Sequence, residues 1–272
     1  MCGILGVFGK SAQKYKKIFN SCSEVLSHRG PDGHGVWISK NQNCFLLHNR
    51  LAILDLSEKA NQPMVSCKGV ISYNGEIYNH LTLRKKKKYS SNSDTETLLS
   101  LIDDNDIKFV LPKLNGMFAV AYYNKKKDEL TLFRDTLGIK PMYYKVLRDK
   151  TIIFSSEIKG ILPFISKKKF LDLDTLATYL LYENWGKSHS LFNGIKSLNP
   201  GEILNSKGNE IDSQVISLFK TKSKLNKNTN FSTKVRKIVS DSVNSHLISD
   251  VPIATYLSGG IDSSIITLLA SK

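Results

Sequence analysis

Residues 117–155 read MFAVAYYNKKKDELTLFRDTLGIKPMYYKVLRDKTIIFS. Four short runs rich in aromatic and β-branched residues stand out: Met117 to Tyr123, Glu129 to Arg134, Met142 to Leu147 and Thr151 to Ser155. Polar or Gly/Pro turns separate them, which predicts consecutive strands of an antiparallel meander. The lysines 125–127 fall between two of these runs, where a hairpin tip is solvated. Lys85 to Lys88 and Lys167 to Lys169 read as similar surface turns.

Beyond the strands the period changes. Asp172 is placed to cap a helix carrying Leu173, Leu176, Ala177, Leu180 and Leu181 at helical spacing. From Gly186 to Asn230 the text is polar and broken by Asn193-Gly194, Pro200-Gly201 and Lys207-Gly208-Asn209, which predicts a connection between domains. Ser232 then caps a second amphipathic helix with Val235, Ile238, Val239 and Val243 on one face. Val251 to Leu257 reads as a buried strand, followed by a glycine turn and a helix start. The expected division is a first domain over 1–186, a connecting segment over 187–230 and the opening of a second domain over 231–272, with no internal repeat.

Composition narrows the class. With 272 residues, 41% hydrophobic and 23% charged, the chain reads as an ordinary globular protein. No apolar run approaches the roughly 18 residues of a membrane helix, and the apolar start lacks a basic segment before it, so no membrane span or export signal is expected. Cys2, Cys22, Cys44 and Cys67 show no C-x-x-C spacing, so neither zinc nor a disulfide framework is expected, and a reducing cytoplasm fits. The net charge of +15 invites a nucleic-acid reading. However, 33 of the 39 basic residues are lysine, and the runs sit at turns, so a solubilising surface with no specific nucleic-acid partner is expected.

Cys2 follows the initiator Met1. Removal of that methionine would leave a thiol and a free α-amino group on one residue, a nucleophile with its own base. The segment Cys2-Gly3-Ile4-Leu5-Gly6-Val7 resembles the start of the class II glutamine amidotransferases. The resemblance continues in order through His28-Arg29-Gly30-Pro31-Asp32-Gly33, His48-Asn49-Arg50-Leu51-Ala52-Ile53, Tyr73-Asn74-Gly75-Glu76-Ile77-Tyr78-Asn79 and Ser93-Asp94-Thr95-Glu96. It reaches Leu114-Asn115-Gly116-Met117-Phe118-Ala119, Arg134-Asp135, Gly138-Ile139-Lys140-Pro141 and Ser155-Ser156-Glu157-Ile158-Lys159, so it covers essentially the whole chain. Among these enzymes the chain is similar to the glutamine-hydrolysing asparagine synthetases.

The resemblance implies an α+β fold, a four-layer αββα sandwich of the N-terminal nucleophile hydrolases, followed by the start of an α/β pyrophosphate-loop ATPase domain. It implies glutamine hydrolysis to glutamate and ammonia by Cys2, with Asn74 and the Gly75 N–H as donors to the developing oxyanion. An amide is neutral and does not titrate away, and glycine admits close approach. Asn-Gly is equally a hairpin turn, and the two roles are compatible. Glutamine would be held by Arg50 on its carboxylate and by Asp94 on its ammonium, with Gly75 and Glu76 as neighbouring contacts. The bland alternatives are an Arg50–Asp94 surface pair, or Asp94 as a helix cap. His28 and His34 read as structural or loop residues, with no metal in this half.

Leu257, Ser258, Gly259, Gly260, Asp262 and Ser263 make a strand, turn and helix start suited to phosphate, with no Walker A pattern. The resemblance implies that they bind the ATP pyrophosphate, with Asp262 holding Mg²⁺. ATP and Mg²⁺ belong to the complete enzyme, and glutamine hydrolysis needs no cofactor. Pro252 to Tyr256 and Ile261 depart mildly from the family pattern. The chain stops at Lys272, so the reading is of a C-terminally truncated synthetase unable to make asparagine alone, with Leu257, Ile265, Ile266 and Leu268 left exposed. Aspartate is the expected acceptor and a homodimer the family's common assembly. The alternatives are another acceptor, such as a surface-polysaccharide sugar, or an inactive truncated fragment.

Overall fold

Gly3–Phe8 (β1) is buried along its whole length, and a strand buried on both faces needs neighbours on each edge and layers above and below. The computed structural model, which describes residues 1–84, 88–165, 171–184, 190–216 and 230–271, supplies all four. β1 lies between Cys44–Arg50 (β3) and Ile152–Ser155 (β9), antiparallel to both. Tyr143–Val146 (β8) and Lys196–Ser197 (β10) extend the sheet beyond β9, and Gly33–Ile38 (β2) closes it beyond β3. A second sheet runs in the order Glu210–Val215 (β12), Glu202–Lys207 (β11), Glu129–Arg134 (β7), Gly116–Asn124 (β6), Gly69–Ile77 (β5) and Met64–Val65 (β4).

Period-two alternation assigns the layers. Ile4, Phe8 and Phe154 of the first sheet meet Val70, Ala119, Ala121 and Leu132 of the second in a shared core. Leu5, Val7, Phe45 and Leu47 point the other way, against Phe19 of Lys16–Ser21 (α1) and Leu26. Ile71, Tyr73, Val120 and Phe133 line the outer face of the second sheet. There they pack on Leu98, Leu99 and Ile102 of Asp94–Asp104 (α3), which follows the short His80–Leu83 (α2), and on Ile107 and Val110 of Ile107–Val110 (α4). The result is the expected αββα sandwich. Gly6 shows how close the packing is: a Cβ there would stand 2.0 Å from the Phe154 ring.

Several expectations need correction. The four strands of 117–155 form, but not as one meander: β6 and β7 pair in one sheet, and β8 and β9 in the other. The break is at Asp135, whose buried carboxylate accepts the backbone N–H groups of Phe118, Leu137, Ile139 and Lys140 and so turns the chain out of the second sheet. Within the span read as a connection, 196–215 supplies β10, β11 and β12, so its Asn-Gly, Pro-Gly and Gly-Asn signals mark strand turns. The tip of the β6–β7 hairpin carries the lysines 125–127 as expected, whereas 85–87 and 167–169 lie outside the described residues.

Asp172 caps Leu173–Tyr182 (α5) by accepting from Thr175 N. Phe231–His246 (α6) is capped by Asn230 rather than Ser232, because the Asn230 oxygen reaches the Thr233 N–H and Ser232 donates to that same oxygen. Residues 251–257 are irregular instead of a buried strand, with Tyr256 fully exposed. A parallel strand forms only beside a partner edge, and no strand among the described residues borders this segment. Ile261–Ala270 (α7) follows, and Leu257, Ile265, Ile266 and Leu268 are exposed as expected. Asp250 joins this region to the sandwich: its N–H donates to Ile53 O at 3.0 Å and its Oδ2 accepts from Asp55 N at 2.7 Å. His246 lies over the Tyr78 ring, centroids 3.8 Å apart.

His48 on β3 crosses the core to the other sheet, its Nε2–H donating to Tyr73 O on β5 at 3.0 Å. Burial pushes its pKa down to about 4. The folded protein therefore binds fewer protons there than the unfolded chain, whose histidine titrates near 6.5, so the contribution is complete above that value and lost on acidification towards 4. By linkage this amounts to about 3 kcal/mol. The melting temperature is expected to fall between pH 6.5 and 4, and His48→Gln, which keeps a donor without the titration, should flatten that limb in a pH series of thermal melts. Asp250→Ala should raise the exchange rate of the Asp55 amide about tenfold. Hydrogen-exchange mass spectrometry should show amides of β1 unchanged in the same sample.

Candidate active site

The Cys2 thiol stands at the open end of β1, half-buried, in contact with the chain just after β3: Leu51 N–H donates to Sγ at 3.4 Å, and Sγ donates to Leu51 O at 3.6 Å. Arg29 fixes the backbone here by donating from Nε to Cys2 O at 3.0 Å, and Glu157 holds Arg29 in turn at 2.9 Å. His28 lies against the same Glu157 and His34, on β2, against Asn49, so the contacts of both are structural rather than those of loop residues. Cys2 shares a cleft with Arg50, Asn74, Gly75, Glu76 and Asp94. All of the residues predicted for the first site thus come together.

The edge of β5 builds the floor of this cleft. In an antiparallel strand alternate N–H groups face opposite edges, so those of Tyr73, Gly75 and Ile77 point the same way, away from β6. Tyr73 N–H is taken by Gln62 Oε1 at 2.7 Å and Ile77 N–H by Asp94 Oδ2 at 2.9 Å. Gly75 N–H lies between these two satisfied groups. On its other side, Phe118, the residue opposite Gly75, spends both backbone groups on Asp135. A Cβ on Gly75 would meet Met117 O at 2.1 Å, so only glycine fits. Next to it, Asn74 is 1% exposed and its buried Nδ2 has no hydrogen-bond partner among the described residues. A buried donor left unmatched costs about 1–3 kcal/mol, and two adjacent donors turned to one cleft form a site for an oxygen that gathers negative charge.

Asp94 is not the helix cap. Ser93 caps α3 by accepting from Glu96 N, and Asp94 is the first helical residue, its Oδ2 also accepting from Tyr73 Oη at 2.7 Å. Burial pushes its pKa up, opposed by the bonds from Ile77 and Tyr73. Nor is there an Arg50–Asp94 surface pair, since both are buried. The Arg50 guanidinium donates to Ser57 O and Asn61 Oδ1 at 2.9 Å each, and to the carbonyls of Leu54 and Asp55. It thereby braces the 54–57 loop at the cleft rim. Burial and the nearby Asp94 push the Glu76 pKa up, opposed by Lys140. Burial also raises the Cys2 thiol, with Asp94 adding to it and the Leu51 N–H, the amino terminus and Arg50 opposing. The amino terminus is pushed down by burial, then by Arg29 and Lys140.

Gln62, Tyr73 and Lys140, which also line the cleft, had no signal in spacing or residue type that tied them to it. The Asp135 turn that positions Lys140 was visible only as part of a family-like motif.

The glycine turn stands apart. Gly260 occupies the cap position of α7, Gly259 has φ +82°, and nothing lies within 4 Å of where a Cβ would project from Gly259. The hydroxyls of Ser258 and Ser263 are 3.0 Å apart at its mouth. Open backbone amides at a helix start with hydroxyls beside them suit phosphate oxygens. Asp262, in the first turn of α7, is the carboxylate available for Mg²⁺, and among the described residues no group of three acidic, His or Cys side chains could hold a metal by itself. Any ion here would take most of its oxygens from the phosphate and water.

Among the described residues no helix is long and apolar enough to cross a membrane. The glutamine amidotransferase domain family matches residues 1–216, and the asparagine synthase family matches 234–272. Asparagine synthetase B of Escherichia coli is 33% identical over 100% of this chain and 45% of its own length. Asparagine synthetase 3 of Bacillus subtilis is 34% identical over 100% of the chain and 45% of its own length. The chain thus spans about half the length of the curated relatives it matches. Among solved structures, the glutamine phosphoribosylpyrophosphate amidotransferase of B. subtilis shares the fold at TM-score 0.55 and 16% identity, over 99% of this chain and 64% of that one. An allosteric regulatory enzyme of purine biosynthesis does so at 0.58 and 17%, over 99% and 63%. This chain belongs to the glutamine amidotransferase domain family and is similar along its length to glutamine-hydrolysing asparagine synthetases.

Proposed function

We propose that the chain hydrolyses glutamine to glutamate and ammonia through Cys2, as the glutaminase half of an ATP-dependent asparagine synthetase. The carrying observation is the unpartnered Asn74 Nδ2 beside the inward Gly75 N–H, in the cleft that holds the thiol. Removal of Met1 frees the α-amine of Cys2. Burial favours a protonated thiol on the same residue. Proton transfer from sulfur to the amine then gives the thiolate. Its attack on the carboxamide forms a C–S bond and places negative charge on oxygen, which Asn74 and Gly75 stabilise. The ammonium returns its proton to the leaving nitrogen as the C–N bond breaks, releasing ammonia. Water then hydrolyses the thioester and restores the thiol.

Arg50 and Asp94 have the charges to orient the α-carboxylate and α-ammonium of glutamine, with Glu76 beside them. In the second half of the chain, Leu257, Ser258, Gly259, Gly260, Asp262 and Ser263 would hold the pyrophosphate of ATP, and Asp262 would supply a carboxylate to Mg²⁺, which would neutralise phosphate charge. Aspartate as acceptor is supported by the names of the relatives. Under this reading the enzyme works in the cytoplasm, a homodimer is the assembly to test, and ATP and Mg²⁺ serve only the synthetase half.

Incubation of the chain with glutamine, ATP, Mg²⁺ and aspartate, followed by amino-acid analysis, should yield glutamate; no glutamate from chain lacking Met1 would reject the glutaminase. Cys2→Ala should abolish glutamate release with an unchanged melt. Asn74→Ala should lower kcat by about 10²–10³-fold, the cost of one oxyanion donor. Asp94→Ala should raise KM for glutamine through loss of a charged contact worth about 1.5–3 kcal/mol, measured by steady-state kinetics.

A further inference from the structure

Lys140 has no task in that reaction, yet it lines the same cleft as Met1, Cys2 and Glu76 and is only 6% exposed. A lysine buried to this degree is ordinarily paired. No carboxylate among the described residues lies within ion-pair distance of its ammonium. Its main chain, by contrast, is held on both sides. Lys140 N–H donates to Asp135 Oδ2 at 3.1 Å, and Lys140 O accepts from Arg134 Nε at 2.5 Å. Arg134 is itself anchored on Leu198 O and Gly138 O. The turn that carries the chain between sheets therefore also delivers a cation into the cleft.

The surrounding charges define what that cation faces. Burial and Arg29 oppose the charged form of Lys140, while Glu76, Cys2 and Asp135 favour it. Cys2 faces the amino terminus and Arg50, which favour a thiolate, and Asp94, which opposes one. We propose that Lys140 is a positioning residue for the nucleophile: with its backbone held by the Asp135 turn, its ammonium brings a positive charge into the Cys2 cleft that favours the thiolate. Coulomb attraction inside a partly desolvated cleft is several times stronger than in water, so a cation lining it acts there without a direct bond. The proposal rests on Cys2 being the nucleophile of the reaction above, but its test does not require turnover.

The test is the rate of Cys2 alkylation by iodoacetamide as a function of pH, followed by peptide mass mapping, with the exposed Cys67 as internal reference. Lys140→Met is expected to move the Cys2 midpoint up by about one pH unit and slow alkylation near neutrality about tenfold. Lys140→Arg should restore the wild-type midpoint, and Cys67 should not change. An unmoved midpoint in Lys140→Met overturns the proposal. So does an equal shift in Lys140→Met and Lys140→Arg, which would assign the side chain to packing rather than charge. If Lys140→Met loses its cooperative melt, Lys140→Gln is read by the same criteria. Absence of glutamate release alongside the expected alkylation shift would reject the glutaminase reading and leave the charge effect standing.

Discussion

One carboxylate oxygen, Asp94 Oδ2, closes the cleft on which the rest depends. It accepts from Tyr73 Oη and Ile77 N, and so joins the first residue of a helix to the edge of a strand. Gln62 performs the matching service four residues earlier on that edge, at the Tyr73 N–H. These two anchors hold the backbone between them, which keeps the Asn74 amide and the Gly75 N–H at the cleft. The cost is a carboxyl buried against its preference, offset by charge-assisted hydrogen bonds.

The first unit and the region after residue 230 are held by different means. The two sheets share a dry core and are each covered on the outside. α6 and α7 bury no residue completely, and this region meets the sandwich through polar and ring contacts at Asp250 and His246. Asp55 accepts from Asn92 N on the other side of the same loop. The rim braced by Arg50 is thereby hydrogen-bonded to both regions.

Much of this was legible in the sequence where local chemistry decides the outcome. Short β-branched runs gave strands, Asp172 gave a cap, and the order of motifs brought Cys2, Arg50, Asn74, Gly75 and Asp94 to one place. What was hidden depends on distant partners. Nothing local shows that Arg134 leaves one sheet and Tyr143 enters the other; the buried contacts of Asp135 decide it. The polar text of 196–215 concealed strands because hydrogen bonding to β7 and β8 outweighs weak propensity. Val251 to Leu257 has the composition of a buried strand but no edge to join among the described residues. Ser232 lost the cap to Asn230 by two residues, the ordinary uncertainty of a helix boundary.

The central place of β1 also orders events during synthesis. β1 leaves the ribosome before both of its neighbours, since one is β3 and the other is β9, about 150 residues later in the chain. Contacts so far apart are slow to form and close large loops. The segment bearing the thiol therefore waits while both of its flanking strands are made, and its seat is completed only when the last of them arrives. The cleft around that thiol is a late product of folding, although the strand beside it precedes both of its partners in the chain.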